Sequence, residues 1–218
     1  QHSVYSKLQS LSHPNLPKVY ETALSEDFTI VVEEYIEGTP LGSTELSEKQ
    51  FLCVVGELCG VLEYLHGRGI IHRDIKPSNL MMADDGHIRM IDFDAARMPK
   101  EEQEQDTHLL GTRGYAAPEQ YGFSQSDVRT DIYALGIVLN YMLAGRPPGE
   151  KTASGAPGEL IKKCIQMDPD QRYDSVSNVK EELQRLLGRK DQKAAPRFWP
   201  HGDFRGRKKW DRVVTVLG

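Results

Sequence analysis

The spacing of hydrophobic residues along the chain predicts one clear strand and several buried helices. Residues 28–36 form a short β-branched run that is followed by Glu37-Gly38, a pattern typical of a strand followed by a turn. Apolar residues then recur at i, i+3/i+4 spacing and predict a helix with one buried face: Phe51, Val54, Val55, Leu58, Leu62 and Leu65. Three more apolar helices are predicted over residues 132–142, 158–166 and 176–187.

Chemistry is concentrated just after the first of these helices. Residues 72–79 have the sequence HRDIKPSN, which brings Asp74, Lys76 and Asn79 within six positions, and a second acid, Asp92, follows a strand-like stretch. Phosphoryl transfer from a metal nucleotide requires such a set. One acid accepts the hydroxyl proton, an amide and an acid hold Mg²⁺, and a cation neutralises the moving phosphoryl group.

At this point the chain resembles the protein kinases, in particular the bacterial serine/threonine (Hanks-type) branch, whose loop has the pattern HRDxKxxN. Three further blocks stand in the order of the family, with the sequences GTRGYAAPE (111–119), DIYALG (131–136) and DPDQRY (168–173). The resemblance implies an α+β, protein-kinase-like fold. It divides the chain into a small-lobe remnant and hinge (1–37), a helical large lobe (38–188) and a basic tail (189–218).

The resemblance also assigns roles at the reacting centre. Asp74 would be the catalytic base, and a positioned base contributes about 10²–10⁴-fold to the rate. Lys76 would lie beside the transferred phosphoryl group, as in the serine/threonine-specific branch. Asn79 and Asp92 would bind Mg²⁺ or Mn²⁺ through oxygen.

A nucleotide site is implied by the same resemblance. The backbone of Glu34 and Ile36 would hydrogen-bond adenine, and Met81 would form the floor of the pocket, although a plain core methionine would show the same pattern. Glu33 occupies the position at the back of this pocket, where a charge is unusual. A solvated strand edge is the other interpretation of Glu33.

Other residues would regulate or support the site. Thr107 is the candidate phosphosite, where a phosphate would pair with Arg73 and Arg97 and order the acidic segment 101–106. We expect Thr112 to hydrogen-bond near Asp74 and Lys76.

Two structural features complete the resemblance. Glu119 and Arg172 would form a buried ion pair, and Asp131 would anchor the backbone of the catalytic loop from beneath.

The chain departs from the family pattern in two places. Asp94 stands where the family has glycine, and we expect a more rigid turn there, because a residue with a Cβ visits fewer backbone conformations. Val4 stands at the position of the family's helix glutamate. The glycine-rich loop and the phosphate-binding lysine would precede Gln1, so we expect the chain to be a fragment that is nearly inactive alone.

Composition and charge fit an intracellular globular protein. The chain has 218 residues and 39 % hydrophobic content, enough for a substantial core. It contains no apolar run of the roughly 18–20 residues that a membrane span requires. Three cysteines without Cys-x-x-Cys spacing are interpreted as buried thiols of a reducing cytoplasm.

The C-terminal tail is strongly basic. Nine Lys/Arg and three Asp between residues 189 and 212 give a local net charge of +6, against −5 for the whole chain. Cations and Trp210 followed by the apolar residues 213–217 are typical of the cytoplasmic side of a membrane anchor. A disordered basic tail is the alternative interpretation, and no nucleic-acid binding is expected.

Three alternatives to a protein kinase are open at this stage. A small-molecule phosphotransferase of kinase-like fold would lack the 111–119 segment and the Glu119–Arg172 pair. A pseudokinase used as a binding module would be favoured by Asp94 and Val4. A structural scaffold is the third. The residues predict a protein serine/threonine kinase that uses ATP and protein substrates, located in the cytoplasm or on the cytoplasmic face of a membrane.

Overall fold

The fold combines helices with two small antiparallel sheets. The structure is a computed structural model that describes residues 2–26, 28–43, 48–98, 112–122, 125–188 and 212–217. The helices are α1 (His2–Gln9), α2 (Glu48–His66), α3 (Val128–Ala144), α4 (Gly155–Cys164) and α5 (Val176–Gly188). The strands are β1 (Val19–Leu24), β2 (Thr29–Glu34), β3 (Gly38–Pro40), β4 (Leu80–Ala83), β5 (Ile88–Met90) and β6 (Arg212–Leu217). The predicted α+β class is confirmed.

Helix α2 forms the centre of the core. Its predicted stripe is confirmed, because Val54, Val55, Leu58, Leu62 and Leu65 are buried and Phe51 is half-buried against the core. The helix packs against α3, α5 and β5. It ends at His66, shortly before the loop of residues 72–79. The core therefore fixes the direction in which the chain enters that loop.

The predicted helices are present, but α3 and α4 begin at different residues from those predicted. Helix α3 begins four residues before the predicted start, at Val128, because the Asp127 carboxylate accepts a hydrogen bond from the Arg129 amide (2.7 Å) and caps the helix. Helix α4 spans Gly155–Cys164 instead of 158–166. It already includes Pro157, which is tolerated in a first turn. Helix α5 begins at Val176, as predicted.

The sheet β3-β4-β5 joins the segment after β2 to the chain that follows residues 72–79. Strand β3 pairs with β4 so that Pro40 lies opposite Met81. At Gly38 a Cβ atom would lie only 2.2 Å from the Met82 carbonyl oxygen, so this close approach requires glycine. The segment after β2 is thereby held next to the strand that follows Asn79.

The second sheet has the order β1-β2-β6 and corrects our prediction for the end of the chain. Residues 213–217 were interpreted as the apolar start of a membrane anchor, but 212–217 form β6, antiparallel to β2 from Glu34↔Arg212 to Thr29↔Leu217. β-branched residues favour extended backbone, and the edge of β2 supplies the partner. No helix in the described ranges is long and apolar enough to cross a bilayer. The basic residues 189–211 lie outside the described residues.

The cysteine prediction is correct for two residues and wrong for one. Cys59 and Cys164 are buried free thiols, whereas Cys53 is exposed on the outer face of α2. Cys53 lies off the apolar stripe of that helix, so its spacing indicated exposure.

Candidate active site

The backbone of the catalytic loop is held by one buried carboxylate. Asp131, in the first turn of α3, is 0 % exposed and accepts hydrogen bonds from the amides of His72 (2.9 Å) and Arg73 (2.8 Å). Its Oδ2 atom also lies 2.7 Å from His66 Nε2. Burial alone would raise the pKa of Asp131, but these bonds and the neighbouring histidines hold it below its ordinary value. A charged anchor therefore ties the loop to α3.

Arg73 adopts an uncommon backbone conformation that this network supports. Its φ of 65° is in the left-handed region, which costs about 1–2 kcal/mol for a non-glycine residue. Its carbonyl accepts a hydrogen bond from Gln120 Nε2 (2.8 Å), and its own Nε donates to the Ala95 carbonyl (2.7 Å). The strained residue is therefore fixed by contacts from two other segments.

The Asp74 carboxylate is the convergence point of the site. Its Oδ2 accepts from Lys76 Nζ (2.6 Å) and its Oδ1 from the Thr112 hydroxyl (2.8 Å) and amide (3.2 Å). Lys76 Nζ also donates to the Thr112 hydroxyl (2.9 Å). Burial alone would raise the pKa of Asp74, but the bonds from Lys76 and Thr112 keep it below its ordinary value. Asp74 is therefore an ionised acceptor at neutral pH, and the structure places Thr112 beside both residues.

Asn79 contacts this carboxylate, and Asp92 lies in the turn after β5. Asn79 Nδ2 donates to the backbone carbonyl of Asp74 (3.0 Å) and to Asp74 Oδ2 (3.1 Å). The backbone carbonyl of Asn79 accepts from the Ile91 amide (2.9 Å). Asp92 is half-buried, with a left-handed φ of 63°. Among the described residues no group of three His, Cys, Asp or Glu side chains could hold a metal ion. One carboxylate and one amide oxygen still fit Mg²⁺, which keeps several waters and takes its other ligands from phosphates.

The residues expected around adenine lie on β2, on β4 of the other sheet and on the segment that follows β2. Glu34 ends β2, where its amide donates to the Lys18 carbonyl (2.8 Å) and its Oε2 accepts from the Lys18 amide (3.1 Å). Ile36 and Met81 are both half-buried. No contact in the structure tests their role toward a nucleotide, so that role stays a prediction.

The buried ion pair between Glu119 and Arg172 is present. The guanidinium donates two bonds to the carboxylate (2.7 and 2.8 Å), and the two side chains are 3 % and 0 % exposed. The Thr130 hydroxyl donates to Glu119 Oε1 (2.8 Å), and the guanidinium stacks over the Tyr133 ring. Arg172 also donates to the backbone carbonyls of Gln166, Arg129 and Met167, so this pair joins three segments of the chain.

Thr107 and the acidic segment 101–106 lie outside the described residues, because the structure does not describe 99–111. The two arginines proposed to meet a phosphate are described. Arg97 pairs with Ile71 in a β-bridge. Burial, and then the charge of nearby Arg97, lowers the pKa of Arg73. The positive charges of Arg73 and Arg97 therefore act on each other.

Sequence reasoning missed two parts of the site. Tyr5 of α1 reaches the Asp92–Asp94 turn, 89 positions away. Glu57 of α2 binds Asn15 Nδ2 (2.9 Å), His87 Nδ1 (2.6 Å) and the Ile88 amide (2.9 Å). Such contacts leave no periodic signal, and only the unusual placement of polar residues on helices hinted at them.

Glu33 has a perturbed ionisation. It is half-buried near the end of β2. Burial, followed by the charges of Asp94 and Asp92, raises the pKa of Glu33 from 4.5 to about 7. The folded protein therefore binds this proton more tightly than the unfolded chain. The stability that Glu33 contributes by binding this proton is complete below its pKa in the unfolded chain. It is lost as the pH rises through its pKa in the folded protein.

Replacing Glu33 by Gln should remove this pH-dependent penalty. The measured quantity is the free energy of unfolding of Glu33→Gln minus that of the wild type. We expect this difference to be larger at about pH 8 than at about pH 5 by about 1–2 kcal/mol, a value reduced because Glu33 is partly exposed. Urea denaturation at both pH values measures it. Glu21→Gln, at an exposed position of β1, is the control. An equal difference at both pH values would contradict the assignment.

The chain is similar to known proteins of one family. The model of the "Protein kinase domain" family matches residues 5–192. The chain is 31 % identical over 229 residues to serine/threonine-protein kinase D of Synechocystis sp., covering 91 % of this chain and 45 % of that protein.

Two other relatives are similar at the same level. Serine/threonine-protein kinase pak-2 of Caenorhabditis elegans is 31 % identical over 203 residues (91 % of this chain, 38 % of that protein). Serine/threonine-protein kinase PknB of Mycobacterium leprae is 32 % identical over 181 residues (77 % and 29 %). The chain thus spans less than half the length of these relatives.

Proposed function

Because the chain belongs to the protein kinase family, we propose that it carries the phosphoryl-transfer site of a serine/threonine protein kinase. The reaction moves the γ-phosphoryl group of ATP to serine and threonine hydroxyls of proteins. The observation that supports this most directly is the Asp74 carboxylate, held by Lys76 and Thr112 and bonded to Asn79. The names of the similar proteins support the same reaction and the same acceptor residues.

In the proposed mechanism Asp74 orients the acceptor hydroxyl and takes its proton. The hydroxyl oxygen bonds to the γ-phosphorus as the bond to the leaving ADP oxygen breaks, and Asp74 receives the proton. Lys76 lies 2.6 Å from Asp74, so its charge is positioned to stabilise negative charge on the transferred group. Thr112 keeps the carboxylate in one orientation, so little reorganisation is needed during the reaction.

Asn79 and Asp92 are the residues that would hold Mg²⁺. A bound magnesium ion would neutralise charge on the nucleotide phosphates. Asn79 donates to Asp74 through Nδ2, and its Oδ1 atom accepts from the Ser78 hydroxyl (3.4 Å), so Nδ2 is the atom that Asn79 turns toward Asp74. The donor set does not distinguish Mg²⁺ from Mn²⁺, since both accept oxygen ligands.

The nucleotide base would lie between the hinge and β4. In this proposal the backbone of Glu34 and Ile36 binds adenine, and Met81 packs beneath it. The pairing of Pro40 with Met81 supports the proposal, because it brings the segment after the hinge next to the strand that carries the floor residue.

Transfer of label from γ-labelled ATP to a mixture of proteins by the full-length protein tests the function. We expect phosphoserine and phosphothreonine after hydrolysis of the products, and a requirement for Mg²⁺ or Mn²⁺. Label on a small-molecule hydroxyl instead of protein would overturn the proposal. Nucleotide binding without transfer would favour a pseudokinase that acts as a binding module.

Phosphorylation of Thr107 is proposed as the activating step. The adjacent charges of Arg73 and Arg97 support it, because a phosphate dianion is stabilised by two guanidinium groups. Mass spectrometry of active enzyme should find phosphate on Thr107. Active enzyme with no phosphate between residues 98 and 111 would contradict this proposal.

Attachment to an anionic membrane surface is proposed for the basic segment 189–211. Its support is charge alone, at about 1 kcal/mol per basic residue close to the surface. Binding of the full chain to anionic vesicles should therefore fade with added salt. Binding that does not respond to salt would contradict the electrostatic account.

A further inference from the structure

A hydroxyl group from α1 reaches into the turn that carries the candidate metal ligand Asp92. Tyr5 is 2 % exposed, and its hydroxyl donates to Asp94 Oδ1 (2.9 Å) while accepting from the Phe93 amide (3.2 Å). We propose that Tyr5 is a positioning residue for the magnesium-nucleotide site, acting through Asp94 on Asp92. The inference rests on the proposed function, since it concerns the same turn.

The conformation of this turn explains why it needs support. Asp92 and Arg73 are the non-glycine residues with positive φ in the described part of the chain, and Asp92 has a φ of 63°. A residue with a Cβ enters this region at a cost, and such strain persists only where surrounding contacts determine it. Residues 93 and 94, directly after Asp92, are the ones that Tyr5 holds.

Asp94 connects the hydroxyl to the candidate ligand. Its amide donates to Asp92 Oδ1 (3.3 Å), and its carboxylate accepts from Tyr5. Asp94 does not have a positive φ, so glycine is not required at this position. A glycine at this position would offer the amide but no acceptor for Tyr5. The aspartate that departs from the family pattern is thus the partner that the buried hydroxyl requires.

Packing alone does not account for the tyrosine. A phenylalanine would fill the same buried space between α1 and the turn, but it would lose the acceptor of the Phe93 amide and one donor to Asp94. Buried backbone amides are almost always hydrogen-bonded. The hydroxyl is therefore the part of Tyr5 that acts on the turn, and Tyr5→Phe removes only that part.

Binding of Mn²⁺ with a non-hydrolysable ATP analogue tests the inference in the full-length protein, measured by electron paramagnetic resonance. We expect Tyr5→Phe to weaken Mn²⁺ binding in this complex by about 5- to 10-fold, the loss expected for one buried hydrogen bond. The apparent KM for Mg²⁺ should rise in parallel. The matched control is Tyr64→Phe, which also removes a hydroxyl that accepts a backbone amide, from Ser12. It should leave Mn²⁺ affinity unchanged.

A double-mutant cycle with Asp94→Ala separates positioning from general destabilisation. If Tyr5 acts through Asp94, Tyr5→Phe should cost little further Mn²⁺ affinity in the Asp94→Ala background. Wild-type affinity in Tyr5→Phe, or an undiminished loss in the Asp94→Ala background, would overturn the inference. Loss of Mn²⁺ affinity in Tyr5→Phe, in a protein that transfers no phosphate, would leave the inference intact while the proposed function fails.

Discussion

Asp74→Asn should lower the rate of phosphoryl transfer by about 10²–10⁴-fold while the protein stays folded. The amide cannot accept the hydroxyl proton. It would also place an NH₂ group against donors, because both carboxylate oxygens of Asp74 receive hydrogen bonds from Lys76, Thr112 or Asn79. Transfer of labelled phosphate from ATP by the full-length protein, with matched circular dichroism spectra, measures the effect.

The control for this substitution is Asp84→Asn, the same chemical change at an exposed position after β4. It should transfer phosphate at the wild-type rate. Equal rates for Asp74→Asn and wild type would refute the base assignment. A folded, nucleotide-binding Asp74→Asn protein without transfer would show that the loss lies in the chemical step.

Arg172→Met should destabilise the fold by about 3–5 kcal/mol, because it leaves the Glu119 carboxylate buried without its charged partner. The pair is almost completely buried, and Arg172 also satisfies the carbonyls of Gln166, Met167 and Arg129. The free energy of unfolding from urea denaturation measures the effect. Loss of the pair would separate the segment around Glu119 from α3 and the turn before α5.

Two variants sharpen this test. Arg146→Met breaks an exposed ion pair with Glu150, and such surface pairs contribute about 0–1 kcal/mol. The double variant Arg172→Met with Glu119→Leu should be more stable than Arg172→Met alone, because no charge is then left buried. A double variant that is no more stable than Arg172→Met would contradict the electrostatic explanation.

The spacing of hydrophobic residues predicted the presence of the helices better than the residues at which they begin and end. The stripe from Val54 to Leu65 required a helix buried on one face, and α2 has that face in the core. The start of α3 was predicted too late, because its first turn depends on the Asp127 cap and not on apolar spacing. Residues 212–217 became a strand because β2 offered a partner, which no local pattern encodes.

In the candidate site, too, contacts between residues close in sequence could be predicted, and contacts between distant residues could not be predicted from local pattern. Asp74, Lys76 and Asn79 lie close together in sequence, so a motif could group them, and the structure brings them into hydrogen-bonding contact. The contact of Thr112 with Asp74 spans 38 positions, and it was expected only because the resemblance supplied it. Tyr5 was not expected at all. Its partner is 89 positions away, and the family pattern has no acceptor at that position.

The third strand of the β1-β2-β6 sheet, β6, is far from the other two strands in sequence. β6 reaches β2 from beyond residues 189–211, whereas β1 joins β2 through a short turn. The same ladder can form between β6 of one molecule and β2 of another without any change in its hydrogen bonds, and only the entropy of closing the connection differs. In such an exchange, protein concentration would decide between a closed monomer and a pair of molecules that exchange β6.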